Sequence, residues 1–503
     1  MLIRFGKRKM SVGKVFHVLL AISGVMFVSY TKGFSEPRHG AVAGSTEANT
    51  QDSLVRIVGH ATADGWPLSF LEKLTDLIGP RVTGSQQSQE ASQLVAKALT
   101  SMGFESAHFE EYSFHPAWQR GSALARIISP VDQALVVGSY GWVPGTPDRI
   151  QVPVADIGRP PGNDLPASPE TLRGKVVLVD VHDIGNSPLP VMRALIAQQL
   201  ARAGAAAMLI PSDKPDHLLY TSAWGFYPRG PLPVLSIGKE DTLTLRRLLT
   251  KGNVAISLDV QNSFGTSTAT ERNVIAELPG TDADEMVLLG AHLDSWDYAQ
   301  GADDNGSGVA AVLDTARILK SLNIKPKCTI RFVLFTGEEQ ANLGSRAYIE
   351  KHKQELDRLR TFLMMDDGAQ PAIGLQSNTR DDFVAPLQDL LRPLVPMGAG
   401  KIYVAPSVDS DDASFMIAGV PSLSLKVEPG DYDIRHHPST DTFDKIDPRA
   451  LALDTSVLAA TAWMIANAPE RPGRRLSAQE VQELLKKNGL ELARETILGP
   501  TEP

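Results

Sequence analysis

The chain has 503 residues, enough for about three domains at roughly 150 residues each. With 43% hydrophobic and 21% charged residues it sits near the globular average, which excludes wholesale disorder, and a net charge of −9 excludes the basic face of a nucleic-acid binder. One cysteine, Cys328, excludes an internal disulfide and a thiolate metal site, so catalysis must rest on carboxylates, histidines and hydroxyls.

Residues 1–35 form a separate object. Arg4, Lys7, Arg8 and Lys9 precede the apolar stretch Val15–Tyr30, the pattern of a signal peptide; an uncleaved N-terminal anchor is the alternative. Removing the segment takes away six cations and no acid, so −9 becomes −15 and the mature, exported protein (periplasmic or secreted) is acidic. Residues 36–52 read as a flexible lead-in. Leu68, Leu71, Leu74 and Leu77–Ile78 then repeat at helical spacing up to Gly79-Pro80. Gly84-Ser85 opens a second helix that Gly103 stops.

From about 125 to 265, β-like runs such as Gln151–Asp156, Lys175–Asp180, Ala206–Ile210 and Val254–Val260 alternate with Pro/Gly clusters. Val191–Ala203 is the single clear helix among them. This segment predicts an inserted domain that binds or shields rather than does chemistry. Its Trp224, Phe226 and Tyr227 are candidates for a contact surface, against the alternative of core packing. Beyond Arg272 apolar runs alternate with helical patterns at Gly308–Leu322, Ser345–Lys353 and Asp381–Leu394. That alternation predicts an α/β fold, a mostly parallel mixed sheet with helices on both faces. Residues 449–466 predict a last apolar helix, and Ser477–Glu495 a polar one. The expected division is 1–35, a first catalytic part 52–128, the insert 129–265, a second catalytic part 266–468 and a polar tail 469–503. Nothing after the N-terminal segment is expected to span a membrane.

Four clusters of metal-type ligands follow apolar strands. They are His292 and Asp294 with Asp303-Asp304, Glu338-Glu339, Asp366-Asp367, and His436-His437. In an open α/β sheet the carboxyl ends of the strands form the ligand crevice, so these clusters would converge. Each alone reads equally as a turn or a helix cap: Asp-Asp-Asn-Gly is a good turn, and Asn305 and Ser307 suit the start of a helix near Gly308. Four coincidences at one sheet edge do not.

The runs Gly290-Ala291-His292-Leu293-Asp294-Ser295-Trp296-Asp297, Gly301 to Gly308, Gly337-Glu338-Glu339-Gln340 and His436-His437-Pro438-Ser439-Thr440-Asp441-Thr442 resemble the co-catalytic dizinc exopeptidases. The resemblance runs from about residue 50 to 466 and includes Gly79-Pro80-Arg81-Val82-Thr83-Gly84-Ser85. It implies two Zn²⁺ per chain. His292 and Asp366 would hold one, His437 and Glu339 the other, and Asp304 would bridge them. Asp366 is preferred to Asp367 because it lies twenty-seven residues after Glu339 and two before Gly368, and His437 to His436 by its distance from Asp441-Thr442. The resemblance further implies Glu338 as general base, a protease-associated-like insert, a homodimer, and a cis peptide at Asp304–Asn305.

Elementary chemistry agrees. Zinc takes imidazole nitrogen and carboxylate oxygen, and two ions bring +4 against −3 from three carboxylates. Asp294, two residues from His292, projects to the same face of an extended chain and would fix the imidazole tautomer. Adjacent Glu338 and Glu339 would point oppositely, one to metal and one to water. The expected activity is hydrolysis of dipeptides or short peptides with free ends. Alternatives are a zinc aminopeptidase acting on longer peptides, a single-zinc glutaminyl cyclase, or a non-catalytic receptor-like scaffold. Asp411, in Asp409 to Phe415, is a candidate for a substrate amine, or simply an acidic helix start.

Overall fold

The computed structural model describes residues 43–160, 165, 168–181, 189–225, 229–408 and 410–491. The expected signal segment 1–35, Phe226, Tyr227 and the end of the tail lie outside the described residues. By chain contacts Ala48–Pro503 is one unit.

Two eight-stranded sheets organise that unit. The first runs, in spatial order, His108–Gln119, Ser263–Leu278, Cys328–Phe335, Asp282–His292, Leu359–Met364, Ser422–Val427, Ala372–Asn378 and Ile402–Ala405. The four central strands are mutually parallel, while both flanks carry antiparallel pairs, so the sheet is mixed. All eight residues of Cys328–Phe335 are buried, as they must be in a strand covered on both faces. One face packs on the helices Gln86–Ser101, Ser307–Ser321 and Pro448–Asn467; the other packs on Tyr348 and Phe415. Fully burying a Leu or Phe contributes about 1.5–3 kcal/mol, so this double-sided core is the main stabilising term.

Pro448–Asn467 is long and apolar enough to cross a membrane by length and composition, yet 83% of its most apolar window is buried in the protein. Its hydropathy belongs to a central core helix. Asp447 caps it by accepting the Arg449 amide at 2.8 Å.

The chain leaves the first sheet at Gln119 and returns at Ser263, which pair in register. Between them lies the second sheet, ordered Gln133–Leu135, Ala123–Ser129, Ala255–Val260, Ile150–Gly158, Val176–Val179, Ala207–Pro211, Val234–Ile237 and Val137–Ser139. The helix Leu189–Ala203 covers one of its faces and Leu245 of the helix Lys239–Leu249 the other.

Some expectations are corrected. Residues 43–52 are helical, within Ala43–Ala63, not a flexible lead-in, because Leu54, Ile57 and Ala61 anchor one face of that helix in the core. The second sheet has a second helix, Lys239–Leu249, whose charged outer face hides its short apolar stripe. Ala123–Ser129 belongs to the second sheet, although the expected boundary at 129 puts it with the first. The polar tail helix is shorter, Ala478–Lys487, and buries Val481 and Leu485 against Ala413 and Met416.

Candidate metal centre

Register assembles the site. His292 is the last residue of its strand and pairs with Phe335, while Gly290 pairs with Met364, so the chain segments that follow the three strands emerge side by side. His292 Nε2 lies 2.8 Å from Asp366 Oδ1 and 3.2 Å from Asp304 Oδ1. The other oxygen of Asp304 faces His437 Nε2, also at 3.2 Å, and Glu339 Oε2 lies 3.2 Å from the same nitrogen. One carboxylate therefore sits between two imidazoles, each with a second acid. Two overlapping clusters share it: His292, Asp304 and Asp366, and Asp304 with His436 and His437. His436 is the more distant of the pair, 4.0 Å from Asp304, so His437 with Glu339 makes the tighter set. Asp367 turns away to Lys426 Nζ at 2.8 Å.

The hydrogen-bonding arithmetic calls for a cation. His292 Nδ1 lies 3.0 Å from the main-chain carbonyl of Asp294, and His437 Nδ1 lies 2.7 Å from that of Thr221. A carbonyl only accepts, so each Nδ1 carries its hydrogen and each Nε2 of a neutral ring aims a lone pair at carboxylate oxygens. Glu339 Oε1, buried, has no hydrogen-bond partner. Such a ring of acceptors takes protons or a metal. With protons alone, burial opposes charge on both rings, but Asp366 beside His292 and Glu339 beside His437 hold them protonated well above the usual imidazole range. Burial would raise Asp304, yet the two imidazoles keep it well below the usual carboxylate range.

The loop holding Asp304 is irregular, with Asp304 at φ −117° and ψ 94°, and the Asp304–Asn305 peptide is cis. Asp441 accepts the amides of Asp303 (2.6 Å) and Asp304 (3.2 Å). Asn305 Oδ1 accepts the Gly308 amide at 3.2 Å at the start of the helix Ser307–Ser321, and its Nδ2 donates to the Met365 carbonyl. A side chain at Gly308 would meet Asn305 Oδ1 at 2.3 Å, so this approach requires glycine.

Glu338 and Glu339 stand in a tight turn after Gly337 (φ 76°), not in the extended chain expected. Glu339 goes to His437 and accepts from Trp296 Nε1. Glu338 is buried, and burial with the nearby acids Asp366 and Glu339 pushes it well above the usual range despite His292.

The sequence pattern described as Peptidase family M28 matches residues 273–462. The solved structure of a peptidase M28 precursor from Shewanella amazonensis is 30% identical, superposes with a TM-score of 0.75, and the match covers 86% of this chain and all of that one. The chain belongs to peptidase family M28. Carboxypeptidase Q of mouse is 29% identical over 84% of this chain and 91% of its own length. A zinc aminopeptidase from Bacillus subtilis, 21% identical and covered over 97% against 82% of this chain, shares the fold with a TM-score of 0.64.

Within this M28 peptidase, five ligand-type residues expected from sequence, His292, Asp304, Glu339, Asp366 and His437, stand together with Glu338. Asp294 behaves differently from expectation. The strand ends at His292, so its period of two no longer applies, and the Asp294 carboxylate lies 3.7 Å from His292 Nδ1 while its carbonyl makes the close contact. The carboxylate instead accepts from Thr83 Oγ1 (2.8 Å) and from the amides of Glu338 (3.2 Å) and Glu339 (3.3 Å), fixing their turn. Asp411 opens the helix Asp411–Ile417 with its carboxylate wholly buried, and burial pushes it up to about 7. Trp224 is core, 1% exposed.

Several working contacts had no expected role. Ser410 Oγ donates to Asp366 Oδ2. Buried Arg81 donates to the carbonyls of Leu293 (2.6 Å), Gln300 (2.8 Å) and Gly301 (2.8 Å), tying together both ends of the His292–Asp304 loop. Burial lowers its guanidinium to about 10 even with Asp441 nearby. The motif Gly79 to Ser85, read as a helix break and a resemblance, thus has a further physical job in Arg81.

Proposed function

We propose that this M28 peptidase is a dizinc exopeptidase that hydrolyses dipeptides or short peptides with free ends. The observation that carries the reading is Asp304, whose two oxygens face two buried imidazoles at 3.2 Å each, both with Nδ1 held by a carbonyl. His292 and Asp366 hold one zinc ion, His437 and Glu339 the other, and Asp304 serves both. The all-nitrogen-and-oxygen donor set suits zinc and leaves room for substrate and water. When bound, a pair of such ions polarises the scissile carbonyl and lowers the pKa of water. Glu338 takes the proton from the attacking water and delivers it to the leaving amine, the work its raised pKa suits. Asp294 keeps Glu338 and Glu339 apart and aimed.

The second sheet, within residues 120–262, is read as the protease-associated-like insert, beside the crevice. Residues 1–35 carry the chain out of the cytoplasm, and the exported protein works as a homodimer. The test is hydrolysis of free and end-blocked dipeptides, against longer peptides, before and after chelation. Activity should vanish with the metal, return with zinc, and favour unblocked dipeptides. Full activity without metal ends the reading; equal rates of successive trimming on long peptides replace it with an aminopeptidase.

A further inference from the structure

The two imidazoles are held by different parts of the chain. On the His292 side the partners belong to the first sheet and its loops: the Asp294 carbonyl on Nδ1, and Ser410 on the paired Asp366. On the His437 side a loop of the first sheet contributes as well, through Trp296, which donates to the paired Glu339 and lies edge-on to the ring at 6.1 Å, but the partners on Nδ1 and on the ring face come from the other sheet. The Nδ1 partner is the Thr221 carbonyl, and the Tyr220 ring stacks on the imidazole with centroids 5.2 Å apart and planes 28° from parallel. Both residues lie in the connection between the second-sheet strands Ala207–Pro211 and Val234–Ile237.

That connection is pinned. The Gly141 amide donates to the Ser222 carbonyl at 2.9 Å, and Arg120 donates to Thr221 Oγ1 at 3.1 Å and to Asp297 at 2.8 Å. His437, in contrast, sits in the left-handed region at φ 73°, a conformation that is costly for a non-glycine residue and persists only where surroundings enforce it.

We propose that Tyr220 and Thr221 are positioning residues of the metal centre, setting the zinc affinity of the His437 position and leaving the His292 position unaffected. The proposal rests on the two-ion reading above. Outer partners of a ligating histidine typically govern 10–100-fold in metal affinity.

The test titrates zinc into the metal-stripped full chain against a chelating dye, with anomalous scattering from crystals locating each ion. The natural chain should bind two ions. Tyr220→Ala should bind one with unchanged affinity and the other, at His437, about 10–100-fold more weakly. Tyr220→Phe should restore both, and Ser410→Ala should weaken the His292 position instead. Should Tyr220→Ala fail to fold, Tyr220→Leu keeps the volume without the aromatic face and carries the same expectation. Two unchanged ions in the Ala or Leu variant, equal weakening of both, or a Phe variant no better than Ala overturns the proposal alone. Fewer than two ions in the natural chain overturns the two-ion reading itself, and this proposal with it.

Discussion

The His292 and His437 halves of the centre use the same chemistry but are built differently. His292 ends a parallel strand, and its paired acid Asp366 follows the neighbouring strand, so the register of one sheet sets their spacing. His437 comes ten residues after its strand Ser422–Val427, past an irregular segment, and its ring is aligned by a loop of another sheet. It is also layered in rings, with His436 3.9 Å from it and Tyr432 stacked on His436 at 5.3 Å. One half is a product of strand pairing; the other depends on tertiary packing.

The comparison breaks most completely at Asp304, the one residue common to both halves. Asp304→Asn keeps the shape and removes the charge. It should weaken both ions by more than the 10–100-fold typical of outer partners and leave no measurable hydrolysis. Loss of one ion only would show that Asp304 serves a single half.

Glu338→Gln comes next. Glu338 is buried within the electrostatic influence of His292, Asp366 and Glu339, and it makes no ion pair with either imidazole among the described residues. With Glu338 as the general base proposed above, its loss should lower kcat by about 10²–10⁴-fold. Both ions should stay, as metal analysis would verify. If Glu338→Gln also sheds an ion, the division of labour between Glu338 and Glu339 is reversed.

The same contrast explains what could be read from the chain. The ligand-type residues stand just past apolar strands or in short motifs, so side-chain identity and strand-end logic find them. Thr221 acts through its main-chain carbonyl, which leaves no trace in residue type. Tyr220 and Arg120 meet the site across long sequence separations that only the packing of the two sheets brings close. Asp294 was found as a partner of His292, but not that its carbonyl makes the closer contact or that its carboxylate also holds the Glu338–Glu339 turn, because alternation along a strand stops being a guide once the strand ends. The strand Ser263–Leu278 was legible only over Val274–Ala276, since its outer half carries polar residues that the buried-strand signal misses.

Asp294→Asn should have a smaller effect. It keeps one acceptor oxygen but turns an amino group towards the Glu338 or Glu339 amide. Activity should fall about 10–100-fold, the range of outer-partner mutations, with both ions retained. An unchanged rate would mean that Gly337 and the turn itself aim the two glutamates.

The last effect is one of pH and touches stability rather than activity; it concerns the backing of the His292 half. Asp412 is buried behind Asp366, accepting from Asn378 Nδ2 and Ser424 Oγ at 3.2 Å each. Burial, with Asp366 and Asp367 nearby, raises its carboxyl to about 8 despite those donors. In the unfolded chain an aspartate titrates at about 3.9, so between there and about 8 the folded state holds a proton that the unfolded state has lost. The stability contributed is fully present below about pH 4 and declines as pH climbs through 8, with a slope of at most about 1.4 kcal/mol per pH unit from this one group. Asp412→Asn replaces the protonated acid with a neutral group that still accepts through its oxygen. Melting temperatures of the two proteins should therefore lie close together at pH 4, with the variant pulling steadily ahead as the pH rises to 8. Parallel curves across that range would show that Asp412 is already ionised in the folded protein and that the His292 half has no neutral acid behind it.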